Sequence, residues 1–249
     1  MTGWYIEYED SSGDKEVYFI PTDDTVPEDG VLGEDVDKNG DQIGDLDDLD
    51  KVIPCFTART GIMTNRGVVR AIDLKVGDRV ITRDNGLQTV RWVGHKSISS
   101  ALTAAEPSTR PVFIPKNCFG TDRPSRDLFL SPQHRIAMAG QSTRLFFAEP
   151  EVFAPAIHTL TLPKVKQVQC DVTYVHFLFD RHEIVLTDGL WTESLHPGER
   201  ALRGFECTAQ AEIFQLFPEL KSWTAQTKFP LARPSSKRHE TALLLAGSG

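Results

Sequence analysis

Pro54-Cys55-Phe56-Thr57-Ala58-Arg59-Thr60-Gly61-Ile62 is the stretch at which the chain changes character. From here on, short runs rich in β-branched and aromatic residues follow one another: GIMT (61–64), GVVRAI (67–72), DRVITR (78–83), QTVRWV (88–93), RPVFI (110–114), RDLFLS (126–131), HRIAMA (134–139), RLFFA (144–148), VTYVHFLF (172–179) and EIVLT (183–187). Turn residues separate them, including Asp84-Asn85-Gly86, and Asn-Gly between such runs is a strong hairpin signal. Many short strands punctuated by turns predict an all-β sandwich, barrel or horseshoe. After Gly198 the pattern turns helical: in TAQAEIFQLF (208–217), Ala209, Ile213, Leu216 and Phe217 fall on one helical face. The tail from Pro234 reads as a surface segment.

Upstream of Cys55 the composition differs. Trp4, Tyr5, Tyr8, Val17, Tyr18 and Phe19 alternate on either side of SSGDKE, which predicts a short hairpin. Residues 21–34, rich in Pro, Asp and Gly, read as linker. The net charge of −8 conceals an asymmetry: residues 1–54 hold 17 acidic residues and 3 lysines, while residues 55–249 hold 18 acidic and 24 basic. An acidic segment therefore precedes a mildly basic one, and the two are expected to attract each other or to have different partners. The basic residues are scattered, so no nucleic-acid partner is expected. No stretch is long and apolar enough to cross a membrane, and none is expected as a partner. The acidic N-terminus lacks the apolar core of a Sec signal peptide, which leaves both a cytoplasmic location and export by another route open. The chain is expected to be monomeric.

DVDKNGDQIGDLDDLD (35–50) has Asp35, Asp37 and Asn39 at alternate positions, followed by Gly40. Oxygen ligands at positions 1, 3 and 5 before a turn-forming Gly open a calcium loop. Position 12 is Leu46 rather than a bidentate Glu. Two readings stand: a calcium site built from Asp35, Asp37, Asn39, Asp41 and Asp45, or a solvated acidic linker.

The four cysteines, Cys55, Cys118, Cys170 and Cys207, are widely spaced and form no CxxC pair, so neither a zinc site nor a dense disulfide framework is expected. Cys118, Cys170 and Cys207 read as small buried hydrophobes. Cys55 is different because of its company. Pro54-Cys55 with Thr57 and a short strand, then Ile72-Asp73-Leu74-Lys75-Val76-Gly77-Asp78-Arg79-Val80, then Leu130-Ser131-Pro132-Gln133-His134, then Val175-His176-Phe177-Leu178-Phe179-Asp180-Arg181-His182 leading through Asp188-Gly189 to Trp191-Thr192-Glu193, occur in one order. That series resembles the Hint (hedgehog/intein) family over about residues 54–205, with Ser131 where the family's T-x-x-H block has Thr.

The resemblance implies an all-β horseshoe of two pseudo-related halves over residues 55–205, an acidic segment over 1–54 and a small helical extension over 206–249. It also implies a self-processing reaction. The Cys55 thiol attacks the carbonyl of Pro54, and an N–S acyl shift turns the peptide bond into a thioester. His134 is expected to protonate the leaving nitrogen, Ser131 or a backbone N–H to hold the oxyanion, and His182, oriented by Asp180 or Asp188, to activate water or another nucleophile. His95, His158, His176, His196 and His239 receive no role. Catalysis needs no cofactor, and the substrate is the chain's own N-terminal segment. Where inteins close with His-Asn, this sequence has Thr192-Glu193, neither of which cyclises as Asn does, so cleavage without full splicing is expected. A second reading keeps the fold and drops the chemistry: a non-catalytic scaffold behind a calcium-dependent binding or secretion segment. Cys55 separates the two, being essential in the first and dispensable in the second.

Overall fold

The structure, a computed structural model, describes residues 3–9, 15–21, 53–198, 202, 205–221 and 229–246. Residues 1–45 and 46–249 form separate compact units. In the first, β1 (Gly3–Glu9) pairs antiparallel with β2 (Lys15–Pro21), Gly3 opposite Pro21 and Glu9 opposite Lys15, which is the predicted hairpin. The acidic run, with Asp35, Asp37, Asn39, Asp41 and Asp45, lies outside the described residues.

The second unit is built on two antiparallel sheets. One contains β3 (Phe56–Thr57), β8 (Trp92–Ile98), β9 (Val112–Ile114), β10 (Leu128–Leu130), β13 (Lys166–Gln167) and β14 (Val172–Leu178), in the order β13-β9-β10-β3-β14-β8. The other contains β4 (Gly61–Thr64), β5 (Gly67–Arg70), β6 (Arg79–Thr82), β7 (Gly86–Thr89), β11 (Arg135–Ala139), β12 (Glu151–Pro155), β15 (Ile184–Thr187) and β16 (Leu190–Glu193). The predicted Asn-Gly hairpin joins β6 to β7, with Gly86 at φ 64°, a conformation a side chain would disfavour.

β14 explains why VTYVHFLF reads as an unbroken apolar run: it is buried on both faces. Val175 and Phe177 enter one core with Phe56, Val112, Ile114, Leu128, Leu130 and Val185. Val172, Tyr174 and Leu178 enter a second with Cys55, Trp92, Ile98 and Leu195. The two-residue alternation of a strand sends Cys55 and Phe56 to opposite cores in the same way. Phe56 stacks on Phe177 at 4.8 Å between ring centres.

Several readings are corrected. RLFFA belongs not to a strand but to α2 (Gln141–Phe147), which follows α1 (Ser100–Ala105). The Thr143 hydroxyl accepts from the Gly140 N–H and donates to the Gly140 carbonyl, closing the first turn, while Leu145 and Phe146 face solvent at 74% and 53% exposure. A strand in that place would have buried its apolar residues. β12, missed because EVFAP carries Glu and Pro, is buried throughout, with Glu151 paired to Arg83 and Arg233. In α3 (Cys207–Leu216), Ile213 is buried and Phe217 follows it inward, but Leu216 is half exposed and Cys207 is exposed. The tail is no mere surface segment: α4 (Arg238–Ala246) buries Thr241 and Leu244.

Phe56 ties the two sides of the first sheet to the core, so Phe56→Ala is expected to cost about 3–5 kcal/mol of unfolding free energy. Leu216→Ala, at an exposed position, should stay within about 0.5 kcal/mol. Urea unfolding of both variants checks this, and a Phe56→Ala loss no larger than that of Leu216→Ala would show that Phe56 does not anchor the sheet.

Candidate functional site

The site follows from the register of one very short strand. Phe56 lies opposite Leu130 of β10 on one side and Val175 of β14 on the other. In antiparallel pairs the next residue back on one strand faces the next residue on along the other. Cys55 therefore comes between Ser131 and His176. The backbone agrees: the Ser131 N–H donates to the Cys55 carbonyl at 3.1 Å.

Ser131-Pro132-Gln133-His134 is a tight turn, closed by the His134 N–H on the Ser131 carbonyl at 3.1 Å, with Pro at the second position where its fixed φ suits a turn. That turn is the physical content of the S-x-x-H spacing: it folds the histidine back toward the residue that begins it. The His134 ring meets the edge of Phe56 at 4.3 Å.

Around the Pro54–Cys55 peptide bond the contacts are dense. The Cys55 N–H donates to Ser131 Oγ at 2.8 Å. The Ser131 hydroxyl donates onward to the Ile53 carbonyl at 3.1 Å. The Pro54 carbonyl oxygen is 3.2 Å from His176 Nδ1, and Cys55 Sγ is 3.3 Å from His176 Nε2. A carbonyl only accepts, so Nδ1 carries the proton and Nε2 is the free acceptor facing the thiol. The thiol also reaches the Ile53 carbonyl at 2.7 Å. One imidazole thus touches both the nucleophile and the oxygen of the bond that the nucleophile would attack.

All of this is dry. Cys55, Ser131, His134 and His176 are each 4% exposed or less. Burial pushes the Cys55 thiol pKa well above its ordinary value, with Ser131 and Lys96 pulling it back. Burial lowers His134 to about 4, against the upward pull of the Glu193 carboxylate and the Cys55 backbone. Burial also lowers His176 to about 4, opposed by its bond to Pro54. At neutral pH the Cys55–His176 pair is therefore thiol and neutral imidazole, not a preformed thiolate. Neither ring nitrogen of His134 makes a hydrogen bond, an uncommon state for a buried histidine.

The four residues expected from the sequence divide as follows. Cys55, Ser131 and His134 come together. Ser131 is on the nitrogen side of the bond, as the acceptor of the Cys55 N–H, rather than at the Pro54 oxygen where an oxyanion donor would be. His182 makes no contact with Cys55. Its Nδ1 accepts from the Ala232 N–H at 3.0 Å, and its Nε2 faces the Ser194 carbonyl at 3.2 Å and Glu193 at 3.3 Å. With both nitrogens engaged, it is built as a support rather than a free base. Asp180 and Asp188 do not orient it: Asp180 pairs with Arg91, and Asp188 with Arg126 and the Gly61 N–H. The orienting carboxylate is Glu193, wholly buried, which also accepts from the Arg135 N–H and guanidinium and has its pKa lowered overall by Arg135 and His182 in spite of its burial. Sequence reasoning missed His176. The available signal was its place on a strand otherwise apolar on both faces. Among the described residues no group of side chains could hold a metal ion.

His134, His176 and His196, the last 2.7 Å from the Phe229 carbonyl, all have pKa values lowered from 6.5 to about 4 by burial. Unfolded, they bind protons as pH falls through 6.5; folded, they resist until about 4. The stability they share is complete above pH 6.5 and declines as pH falls toward 4. These three histidines should contribute about three of the protons taken up on unfolding near pH 5, one each, and His196→Gln should lower the total by about one. The slope of melting temperature against pH measures both, and a flat slope between pH 6.5 and 4.5 would refute the burial argument.

The sequence model of the Hint domain matches residues 54–199. No curated protein matches the chain. Among solved structures, the chain is similar to the bacterial intein-like domain from Clostridium thermocellum (14% identity, 57% of this chain and 99% of that one, TM-score 0.40). It is also similar to the gp41-1 intein (12% identity, 56% and 97%, TM-score 0.36) and to a variant of the Ssp DnaB mini-intein (9% identity, 58% and 96%, TM-score 0.36). The matched region opens at Pro54, one residue before the buried cysteine, and takes in more than half of the chain; this protein belongs to the Hint domain family, a family of self-processing domains.

Proposed function

We propose that the domain cleaves its own backbone between Pro54 and Cys55 through a thioester, without full splicing. One observation carries the reading: a single neutral imidazole, His176, bridges the thiol and the carbonyl oxygen of the same peptide bond, in the tautomer that can accept a proton from one and donate to the other.

The steps follow from these contacts. Cys55 Sγ adds to the carbonyl carbon of Pro54 while the thiol proton passes to His176 Nε2. The C=O electron pair moves onto oxygen, where Nδ1–H of the now cationic ring meets it. An imidazolium beside an oxyanion in a dry site is worth far more than in water. Coupling the proton transfer to attack also avoids a free buried thiolate, which the raised thiol pKa forbids. The intermediate collapses when the C–N bond breaks and a proton reaches the Cys55 nitrogen. His134, beside that amide, carries to it the proton that His176 took from the thiol, so that both rings end neutral. It must become transiently charged, and Glu193, itself held by Arg135 and His182, is the carboxylate that favours this charge. Ser131 fixes the leaving N–H. His182 acts through Glu193, in place of the direct role as base expected from the sequence.

The product is a thioester between Pro54 and Sγ, which water or another nucleophile then opens to release residues 1–54. The chemistry is proton transfer and acyl transfer and calls for no metal or organic cofactor. Splicing is left out because its last step needs a cyclising Asn, and Glu193 occupies the corresponding place in a buried ion-pair network.

Intact mass of the purified full chain, followed over time with and without dithiothreitol, tests the reading. A fragment ending at Pro54 should appear, faster with thiol, and be absent in Cys55→Ala. His176→Ala should slow its appearance by on the order of 10²–10⁴-fold, the usual worth of general acid–base help. His182→Ala should slow it less. An unchanged mass under every condition, or release that persists in Cys55→Ala, rejects the proposal and leaves the scaffold reading.

A further inference from the structure

The cleavage reading leaves the acyl acceptor open, and this inference, which rests on that reading, concerns it. The thioester would form in a closed place. Leu202, Phe217, Leu220 and Phe229, all beyond the matched region, pack into the same apolar cluster as Cys55. This C-terminal cover blocks straightforward entry of bulk water to Sγ.

A cavity of about 210 Å³ nevertheless reaches the site from the side, between β8 and α3. His176, the ring in contact with Sγ and the Pro54 oxygen, lines it. Trp92 and Phe205 line it as aromatic faces, with Phe205 edge-on to His176 at 5.0 Å and to Trp92 at 5.4 Å. The strand wall contributes Lys96, and the opposite wall contributes Glu206 and Glu212. Glu212 also accepts from the Trp92 indole N–H at 2.9 Å. Lys96 and the two glutamates thus line the same cavity.

We propose that this cavity is the acceptor site and that it takes an α-amino acid, free or as the first residue of another chain. The two carboxylates beside aromatic faces suit its ammonium, and Lys96 suits its carboxylate or the carbonyl that replaces it. The ammonium loses one proton to solvent at the mouth of the cavity. The amine nitrogen attacks the thioester carbon at Pro54, and His176 Nε2 takes the second proton. The C–S bond breaks, Sγ recovers that proton from His176, and a new amide joins Pro54 to the acceptor. Nothing is oxidised or reduced.

The test uses the full chain with glycine, glycylglycine or ethanolamine at rising concentration, and reads the mass of the released 1–54 fragment. Glycine or glycylglycine should appear on the fragment as an amide, with saturation, and whichever saturates at the lower concentration identifies the source. Ethanolamine, which lacks the carboxyl end, should need far more. Glu206→Gln should raise the half-saturating glycine concentration on the order of ten-fold, equivalent to about 1.4 kcal/mol, and leave dithiothreitol-induced release unchanged. Amide formation that is linear in glycine and equal in wild type and Glu206→Gln, or release only of hydrolysed fragment, overturns the acceptor site alone. Failure of dithiothreitol to release the fragment overturns the cleavage reading and this inference with it.

Discussion

The pairing of β3 between β10 and β14 is the constraint from which the rest follows. Two residues of strand are little structure, and alone they would have no fixed register. Here the register is held from both sides, because Phe56 faces Leu130 and Val175 at once and its ring is sandwiched into the core against Phe177. A slip by one residue would send Phe56 to the cluster that holds Cys55 and Cys55 to the one that holds Phe56. The packing free energy of one phenyl ring therefore also decides which side chains surround the Pro54–Cys55 bond. Stability and the geometry of the site are one quantity at this position.

Burial has a second consequence that works against the first. The pocket that aligns thiol, imidazole and amide also removes the water that would stabilise their charged forms. His134 and His176 have their pKa values lowered to about 4 and the thiol's is raised. A site with a ready thiolate would be more reactive toward outside reagents. This one holds its groups neutral, so the proposed acyl shift would have to develop charge as it proceeds. The buried ion pair of Glu193 with Arg135 is the exception, and it stays charged because both Arg135 donors and His182 meet its oxygens.

How much of this was legible in the sequence depends on the range of the interaction. The β class came from local alternation and turn residues, and the Asn-Gly hairpin was readable from three residues. The S-x-x-H turn was also local, since Pro132 fixes it. The surroundings of His182 were not legible because its partners are remote in sequence or lie on another strand: Ala232 is fifty residues away and Glu193 belongs to β16. His176 was missed for a related reason. It lies six positions before His182 in one run, and only the register of β14 against β3 tells which of the two meets Cys55. α2 was misread because Leu145, Phe146 and Phe147 look like a strand, whereas the Thr143 bonds to Gly140 that start the helix carry little weight in a pattern of apolar residues.

The part of the chain beyond the matched region bears most directly on chemistry. A Hint core ending near residue 199 would leave Cys55, Trp92, Tyr174 and Leu178 with one apolar side uncovered. Leu202, Ile213, Phe217, Leu220 and Phe229 fill it, and Phe205 closes on His176. By burying this side of the site, these residues lower the local dielectric and so bear on the protonation of Cys55 and His176. In the proposed reaction, whatever opens the thioester has to pass this cover or use the gap beside it. A segment beyond the matched region therefore sets the surroundings of the residues around the Pro54–Cys55 bond.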